Sequence, residues 1–412
     1  MSDITAEDAS GSGARKSHSL MVTLSAATLI QIVATASVLA LTAIAPTVAG
    51  DLGIGAYLIG YQISLIYTSG MFSSAVAGTL VKRFGPVRVE QLALICFFLG
   101  FVGIAMAHVL PIIVASLLIG IGYGLNNPAS SEMLGRITPH GKRNIVFSIK
   151  QSGVPLGGIL ASFAFPFLSR QMDWQYALLI GAAAPLATMV LLAATHVTEP
   201  IDRSVPMGSM MKGFRDEQGI IWKNAKLRAL SFLGFAYSAT QLSLSAFAVV
   251  TLVHDGGWSL LAAGSVAAVM QFFGAFGRIF WGVVADKVGG GFKTLALLGL
   301  LIGLGFASLF FVVDMPAYLQ VGVLIVLGLT TIGWNGVLLA EVAHNAPDGR
   351  IGAITGGVLV YTFIGVIVGP SSFASLYLLT GHYGASFLVF SLLGFLGMVA
   401  AWRSHRDADL SH

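Results

Sequence analysis

Between Leu20 and Trp402, apolar runs of 20 or more residues follow one another with only short polar breaks. A run of that length crosses the hydrocarbon core of a bilayer as a helix rising 1.5 Å per residue. No water reaches that core, so each segment must satisfy its own backbone N–H and C=O groups. The fold class expected is all-α integral membrane. Twelve spans are read, at about 20–49, 56–81, 87–108, 110–134, 144–170, 175–196, 227–253, 259–285, 292–313, 317–343, 350–380 and 384–402. Only 10% of the residues are charged, against roughly 25% in a soluble protein. The first run leads into no soluble domain, so it is read as an uncleaved span. Cys96 is the single cysteine, which excludes an intrachain disulfide and a cysteine-based metal site.

The lysines and arginines give the orientation. With the N-terminus inside, nineteen of the 22 fall in inside segments, Arg170 falls outside, and Lys150 and Arg278 lie within spans. Both termini are therefore expected in the cytoplasm of a multi-pass protein of a cell inner membrane. Residues 1–19 are polar and small and are read as a disordered cytoplasmic tail. Residues 20–196 and 227–403 form two six-helix halves, 197–226 a cytoplasmic linker with an interfacial helix, and 404–412 a cytoplasmic tail.

The halves repeat. Gly78-Thr-Leu-Val-Lys82-Arg83-Phe-Gly85 follows span two, and Gly282-Val-Val-Ala-Asp286-Lys287-Val-Gly289 follows span eight. Asn126 and Glu132 match Asn335 and Glu341, Arg143 matches Arg350, and Gln31 matches Gln241, all at offsets of 204–210 residues. A duplicated six-helix unit has its site near the midplane, between the halves.

Arg278 sits about 10–12 Å inside span eight at 1.5 Å per residue. A charge at that depth costs about 3 kcal/mol on insertion scales, which marks it as functional. Its planar fork matches a carboxylate bidentately. The structural alternative is a pair with a carboxylate on another helix. Lys150 lies at similar depth in span five and either contacts substrate, snorkels to headgroups or pairs with Glu132. These two cations face no acid read near the midplane, a balance that attracts anions. The run Gln151-Ser-Gly153-Val-Pro155-Leu-Gly157-Gly158 reads as a hinge or a close helix contact, with Gly369-Pro370 as its counterpart.

Twelve spans as six plus six, with the glycine-rich basic turn repeated, resemble the major facilitator superfamily over almost the whole chain. The family turn runs G-x-L-x-D-R-x-G-R/K. The second copy keeps Gly282, Asp286, Lys287 and Gly289; the first keeps Gly78, Leu80, Arg83, Gly85 and Arg88 but has Lys82 where the family has aspartate. The resemblance implies that this N-terminal latch is altered. It also implies that spans one, four, seven and ten line the cavity, with spans two, five, eight and eleven beside them. The site residues expected on those helices are Gln31, Tyr123, Asn126, Asn127, Lys150, Gln151, Tyr237, Gln241, Arg278, Trp334, Asn335 and Tyr361. Spans three, six, nine and twelve are read as almost purely apolar and lipid-facing. Gly277-Arg278-Ile-Phe-Trp281-Gly282 resembles span eight of the oxalate/formate and monocarboxylate branches, where the matching arginine engages the substrate carboxylate. The stretch Gly333-Trp334-Asn335-Gly336 looks like carriers grouped with cyanate transporters.

The function expected is secondary active transport of a small organic anion, a mono- or small carboxylate, by proton-coupled symport. The rivals are a drug/proton antiporter and a neutral-solute carrier. The antiporter branch has an arginine where this chain has Ser116, and its span-five element is one residue longer than Pro155 to Gly157. No nucleotide loop and no catalytic cluster is present; His108, His196, His254 and His344 stand singly at span ends. An enzyme is therefore not expected. For the proton, Glu132, Glu341, His254 and Asp255 stay open. Glu132 and Glu341 are alternatively paired with Arg143 and Arg350 in an inner gate. The partners expected are the anion, protons and the lipid bilayer, with no nucleic acid, cofactor or metal, and the unit is a monomer.

Overall fold

A computed structural model describes residues 4–54, 56–193, 201–202, 204, 206, 210–288 and 290–409. Gly289, His196 and Arg203 lie outside the described residues. Among those described, twelve spans are long and apolar enough to cross a membrane, from Leu20–Ala43 to Tyr383–Arg406. The first half is α1 (Ile4–Ala43), α2 (Ala45–Leu52), α3 (Ala56–Phe84), α4 (Pro86–Ala105), α5 (Val109–Ile137), α6 (Arg143–Gln151), α7 (Gly153–Gln171) and α8 (Trp174–Ala193). The linker helix is α9 (Met210–Lys223). The second half is α10 (Ala225–His254), α11 (Leu260–Val288), α12 (Gly291–Ser308), α13 (Ala317–Thr331), α14 (Asn335–Asn345), α15 (Ile351–Thr380) and α16 (Tyr383–Asp409). An even number of spans brings both termini to one end of the bundle, called here the termini end.

Proline and glycine explain where helices break. Pro46 lacks an N–H, so span one bends at Ile44 and continues as α2. Pro155 does the same in span five, which splits into α6 and α7 at Ser152. Span ten splits without a proline, between α13 and α14, at Ile332 and Gly333. A Cβ on Gly333 would lie 2.6 Å from Trp281 Cδ1, so the break lies where α11 packs against the span. Pro370 leaves α15 unbroken, so Gly369-Pro370 is a close helix contact and not a break. At the other end of the sequence, α1 extends back to Ile4 through the segment read as a disordered tail. An existing helix end propagates at one hydrogen bond per residue fixed.

The glycines read as a hinge lie at helix contacts. A Cβ on Gly153 would lie 2.8 Å from Thr28 O, and one on Gly369 would lie 2.6 Å from Ala239 Cα. Gly157 meets α1 likewise, and Gly158 is in ordinary contact with Leu39. The halves meet through α3 with α15, α6 with α11 and α14, and α5 with α15. Phe163, Phe167, Val190 and Leu378 are exposed apolar side chains, as lipid contact requires.

Candidate functional site

The amides of α1 and α5 converge on one lysine. Lys150 Nζ donates to Gln31 Oε1 at 2.7 Å and to Asn127 Oδ1. Asn126 Nδ2 donates to the same Gln31 oxygen at 3.0 Å, and Gln151 Nε2 to the same Asn127 oxygen at 3.0 Å. The whole cluster is buried. Gln31 Nε2 and Asn126 Oδ1 have no hydrogen-bond partner among the described residues, so the cluster keeps polar capacity for a guest. Lys150 neither snorkels nor pairs with Glu132. Its ammonium points inward, because four amide side chains surround it there.

Arg278 comes from the other half and is 2% exposed. Its Nη1 donates to the carbonyl of Gln151 at 2.9 Å. In a continuous helix that carbonyl would accept from residue 155, but Pro155 has no N–H. The span-five break thus creates the acceptor that holds Arg278. Arg278 Nε has no partner, and among the described residues no carboxylate lies within ion-pair distance of the guanidinium. Its electrostatic neighbours are the hydroxyls of Tyr67 and Tyr123 and the ammonium of Lys150. The repeat places Ser74 opposite it, and Ser74 Oγ donates to Gly356 O at 3.2 Å. At this depth each half therefore sends one donor to the backbone of its neighbour, but only the donor from the second half carries a charge.

Three aromatic rings stand beside the cation. Tyr67 meets Tyr123 edge-on at 5.9 Å, and Phe363 lies 6.2 Å from Tyr67 and 6.3 Å from Tyr123. Tyr67 and Phe363 were not singled out in the sequence. Their signal was an aromatic residue in a span that flanks the cavity, which apolar composition conceals. On the second half, Trp334 Nε1 donates to Gln241 Oε1 at 2.9 Å, and Asn335 Oδ1 is buried without a partner.

Two expected site residues belong elsewhere. Tyr237 is fully buried, and its hydroxyl donates to Leu295 O at 2.7 Å, tying α10 to α12. A long phenol on a helix with a peripheral neighbour reaches that neighbour's backbone before the cavity. Tyr361 donates to Gln218 Oε1 at 2.7 Å and accepts from Trp222 Nε1 at 2.8 Å, so it holds the linker helix. It lies about 15 Å into α15, and its hydroxyl is turned to the linker helix and away from the site.

The termini end is sealed by carboxylates on helix starts. Asp286 accepts from Asn144 Nδ2 at 2.8 Å and from Ile145 N at 3.0 Å, at the start of α6. Glu132 accepts from Gly352 N at the start of α15, and from Arg136. Glu341 accepts from Gly291 N at 2.9 Å, within its own half. Arg143 donates to Ala343 O and Gly135 O, each at 2.9 Å. The expected pairs Glu132–Arg143 and Glu341–Arg350 do not form. Backbone N–H groups at helix starts lie nearer to both carboxylates, and they carry partial positive charge. Glu132 thus occupies the role left open by Lys82, which instead sits 3.9 Å from Asp202 at the surface.

Gly78 and Gly282 permit these seals. A Cβ on Gly78 would lie 2.6 Å from Ala353 Cα, and one on Gly282 would lie 2.5 Å from Ser148 Cβ. Gly85 has φ +85° and caps α4, a conformation that glycine adopts without strain. Arg83 lies over the Phe84 ring at 5.5 Å, while Arg88 and Lys287 are exposed. All the bonds between halves named above lie between Arg278 and the termini end. His254 is bonded to Asp255 at 2.7 Å at the far end of α10, away from the lysine cluster.

The sequence reading also missed Glu90. It lies in α4, one of the helices read as purely apolar, and is fully buried. It falls inside the span read at 87–108, three residues from its start, and was passed over among apolar neighbours.

The family model described as Major Facilitator Superfamily matches residues 27–370. A gallate transporter of Pseudomonas putida is 24% identical over 272 residues, which cover 59% of this chain and 61% of that protein. The 4-hydroxybenzoate transporter PcaK of Pseudomonas aeruginosa is 24% identical over 293 residues, 63% of this chain and 64% of that protein. The chain thus spans about three fifths of each of these two relatives. Among solved structures, FucP in the outward conformation superposes with TM-score 0.75 at 13% identity, covering 94% of this chain and 99% of that one. Twelve apolar spans in two halves, a site between them and a family model covering most of the sequence agree: the chain belongs to the major facilitator superfamily of transporters.

Proposed function

We propose that this transporter carries a small carboxylate across the membrane by alternating access, in symport with protons. One observation carries the proposal: Arg278 is a buried guanidinium between the halves with no carboxylate partner among the described residues. A charge held so deep without a counter-ion is costly, and an incoming anion removes that cost. The rings of Tyr67, Tyr123 and Phe363 favour an acid with a flat apolar body. A benzoate-like anion would place its carboxylate at Arg278 and Lys150 and its ring among the three aromatics. The relatives named for gallate and 4-hydroxybenzoate support that choice. The bias of lysine and arginine supports a protein of the cell inner membrane with both termini in the cytoplasm. On that orientation the structure is closed to the cytoplasm. The working unit is a monomer, with one site between its two halves.

The test is uptake of labelled gallate, 4-hydroxybenzoate, benzoate and small aliphatic carboxylates into proteoliposomes under an inward proton gradient. Wild type and Arg278→Gln are compared side by side. Accumulation of one acid by wild type and its loss in the folded variant support the proposal. Uptake unchanged in Arg278→Gln, or no acid carried by wild type, sinks it.

A further inference from the structure

Glu90 follows the first turn of α4, about 6 Å along the helix from Pro86 at 1.5 Å per residue. It is 0% exposed, and neither carboxylate oxygen has a hydrogen-bond partner of normal geometry among the described residues. Its polar neighbour is Ser130 on α5, whose hydroxyl is aimed at the carbonyl of Asn126, 2.7 Å away. Its charged neighbour is Lys150. Among the described residues no other charge acts on it from the helices packed around it, and Arg88, two residues before it on α4, is exposed. The membrane part of α1 has no ionisable side chain, and α8 has only Tyr176. On α3, Tyr67 stands with Tyr123 and Phe363, while Lys82 and Arg83 lie at the helix end; on α5, Glu132 and Arg136 pair with each other.

Lys150 stands between two possible partners. Its ammonium now bonds neutral amide oxygens of Gln31 and Asn127, not the carboxylate. A carboxylate without hydrogen bonds in a dry interior costs several kcal/mol, while the neutral acid costs far less. The arrangement described is therefore that of a neutral Glu90 with Lys150 turned towards the site. Lys150 lies about 10 Å along α6 from Arg143, so Glu90 is the shallower group, on the termini side.

The geometry points to Glu90 as the group that binds the coupled proton, with Lys150 as the switch that releases it. This rests on the anion proposal above. With Glu90 neutral, Lys150 and Arg278 together present two positive charges to the anion. When the anion leaves, Lys150 loses its counter-ion and turns to Glu90. The carboxyl O–H bond breaks, the proton passes to water on the side then open, and an ammonium–carboxylate pair remains. Rebinding reverses each step: a proton returns to Glu90, and Lys150 is freed for the next anion. One proton moves with one anion, so a monocarboxylate is carried without net charge.

Two measurements test this, and the first needs no substrate. The infrared difference spectrum of purified wild type minus Glu90→Gln at neutral pH should contain the C=O stretch of one protonated carboxylic acid, beyond the band of Glu217 that both proteins share. A wild-type spectrum identical to that of Glu90→Gln overturns the assignment. The second compares proteoliposomes with 4-hydroxybenzoate as probe. Glu90→Gln should keep exchange of labelled for unlabelled acid and lose accumulation driven by a pH gradient, at least tenfold. Accumulation that persists in a well-folded Glu90→Gln overturns the proposal. Failure of wild type to carry any acid of the panel sinks the anion proposal instead, and the infrared result still decides whether Glu90 holds a proton.

Discussion

Arg278 Nη1 donates across 2.9 Å to the carbonyl of Gln151, and that carbonyl is free because Pro155 cannot bond it. The bond joins the two halves at the depth of the site. On the proposed function, an anion that engages the guanidinium would compete with the carbonyl and loosen the joint. Binding would thereby be linked to the rearrangement that transport needs.

Pro155→Ala restores an N–H within reach of Gln151 O. Arg278 then loses about 1 kcal/mol of competition from the carbonyl, the net worth of one hydrogen bond. Anion affinity should rise roughly fivefold. Turnover should fall, because the continuous helix stiffens span five. Equilibrium binding and initial uptake rates read the two effects separately, and unchanged affinity with unchanged turnover contradicts the mechanism.

Tyr237 and Arg278 should separate stability from binding. Tyr237→Phe removes the bond to Leu295 O and should lower stability by about 1 kcal/mol while leaving anion affinity unaltered. Arg278→Lys keeps the charge but loses the planar fork, and should weaken binding about tenfold at comparable stability. Thermal unfolding in detergent with binding titrations decides the matter.

Glu132→Gln and Asp286→Asn each replace a charged acceptor at a helix start with a neutral one. Each should destabilise the closed termini end by about 1–2 kcal/mol, and the pair together by roughly the sum. Spin labels placed across that end should report a growing population of longer distances. A closed population that stays constant in the double variant rules out the latch.

The linker helix carries a pH dependence. Glu217 of α9 is buried against Gly78 and Gly357, and burial lifts its carboxyl to about 8, the nearby charge of Arg350 opposing and Asp216 adding. A carboxyl raised on docking favours the docked helix while it is protonated. Docking is therefore strongest below the ordinary carboxylate range and weakens as pH rises towards about 8. Amide protection across residues 210–223, relative to the intrinsic exchange rate at each pH, should fall between about pH 5 and about pH 9, and Glu217→Gln should flatten the curve.

Span number, the two halves and the buried cations were legible because each is local. Apolar length reports a span, and an arginine inside one reports itself. The repeat marked Gln31 and Asn126 as site residues, but their convergence with Asn127 on Lys150 was not legible. Side-chain direction was not legible. Tyr237 and Tyr361 lie on cavity-lining helices yet point to a peripheral helix and to the linker. The break in span ten has no proline to announce it and arises from contact with α11. Glu132 could be located from the sequence, but its partner is a backbone N–H 220 residues away, which no side-chain pattern encodes.

The seals at the termini end have one more property. Bridges between mobile surface side chains weaken as electrolyte is added, within a Debye length of about 8–10 Å. Here Asp286 and Glu132 each bond a backbone N–H of the opposite half, and the Glu132 bond is buried. Such contacts are screened far less. The closed end should hold about as firmly in brine as in dilute buffer, leaving the occupant of the site, and not the ionic strength outside, to decide when it opens.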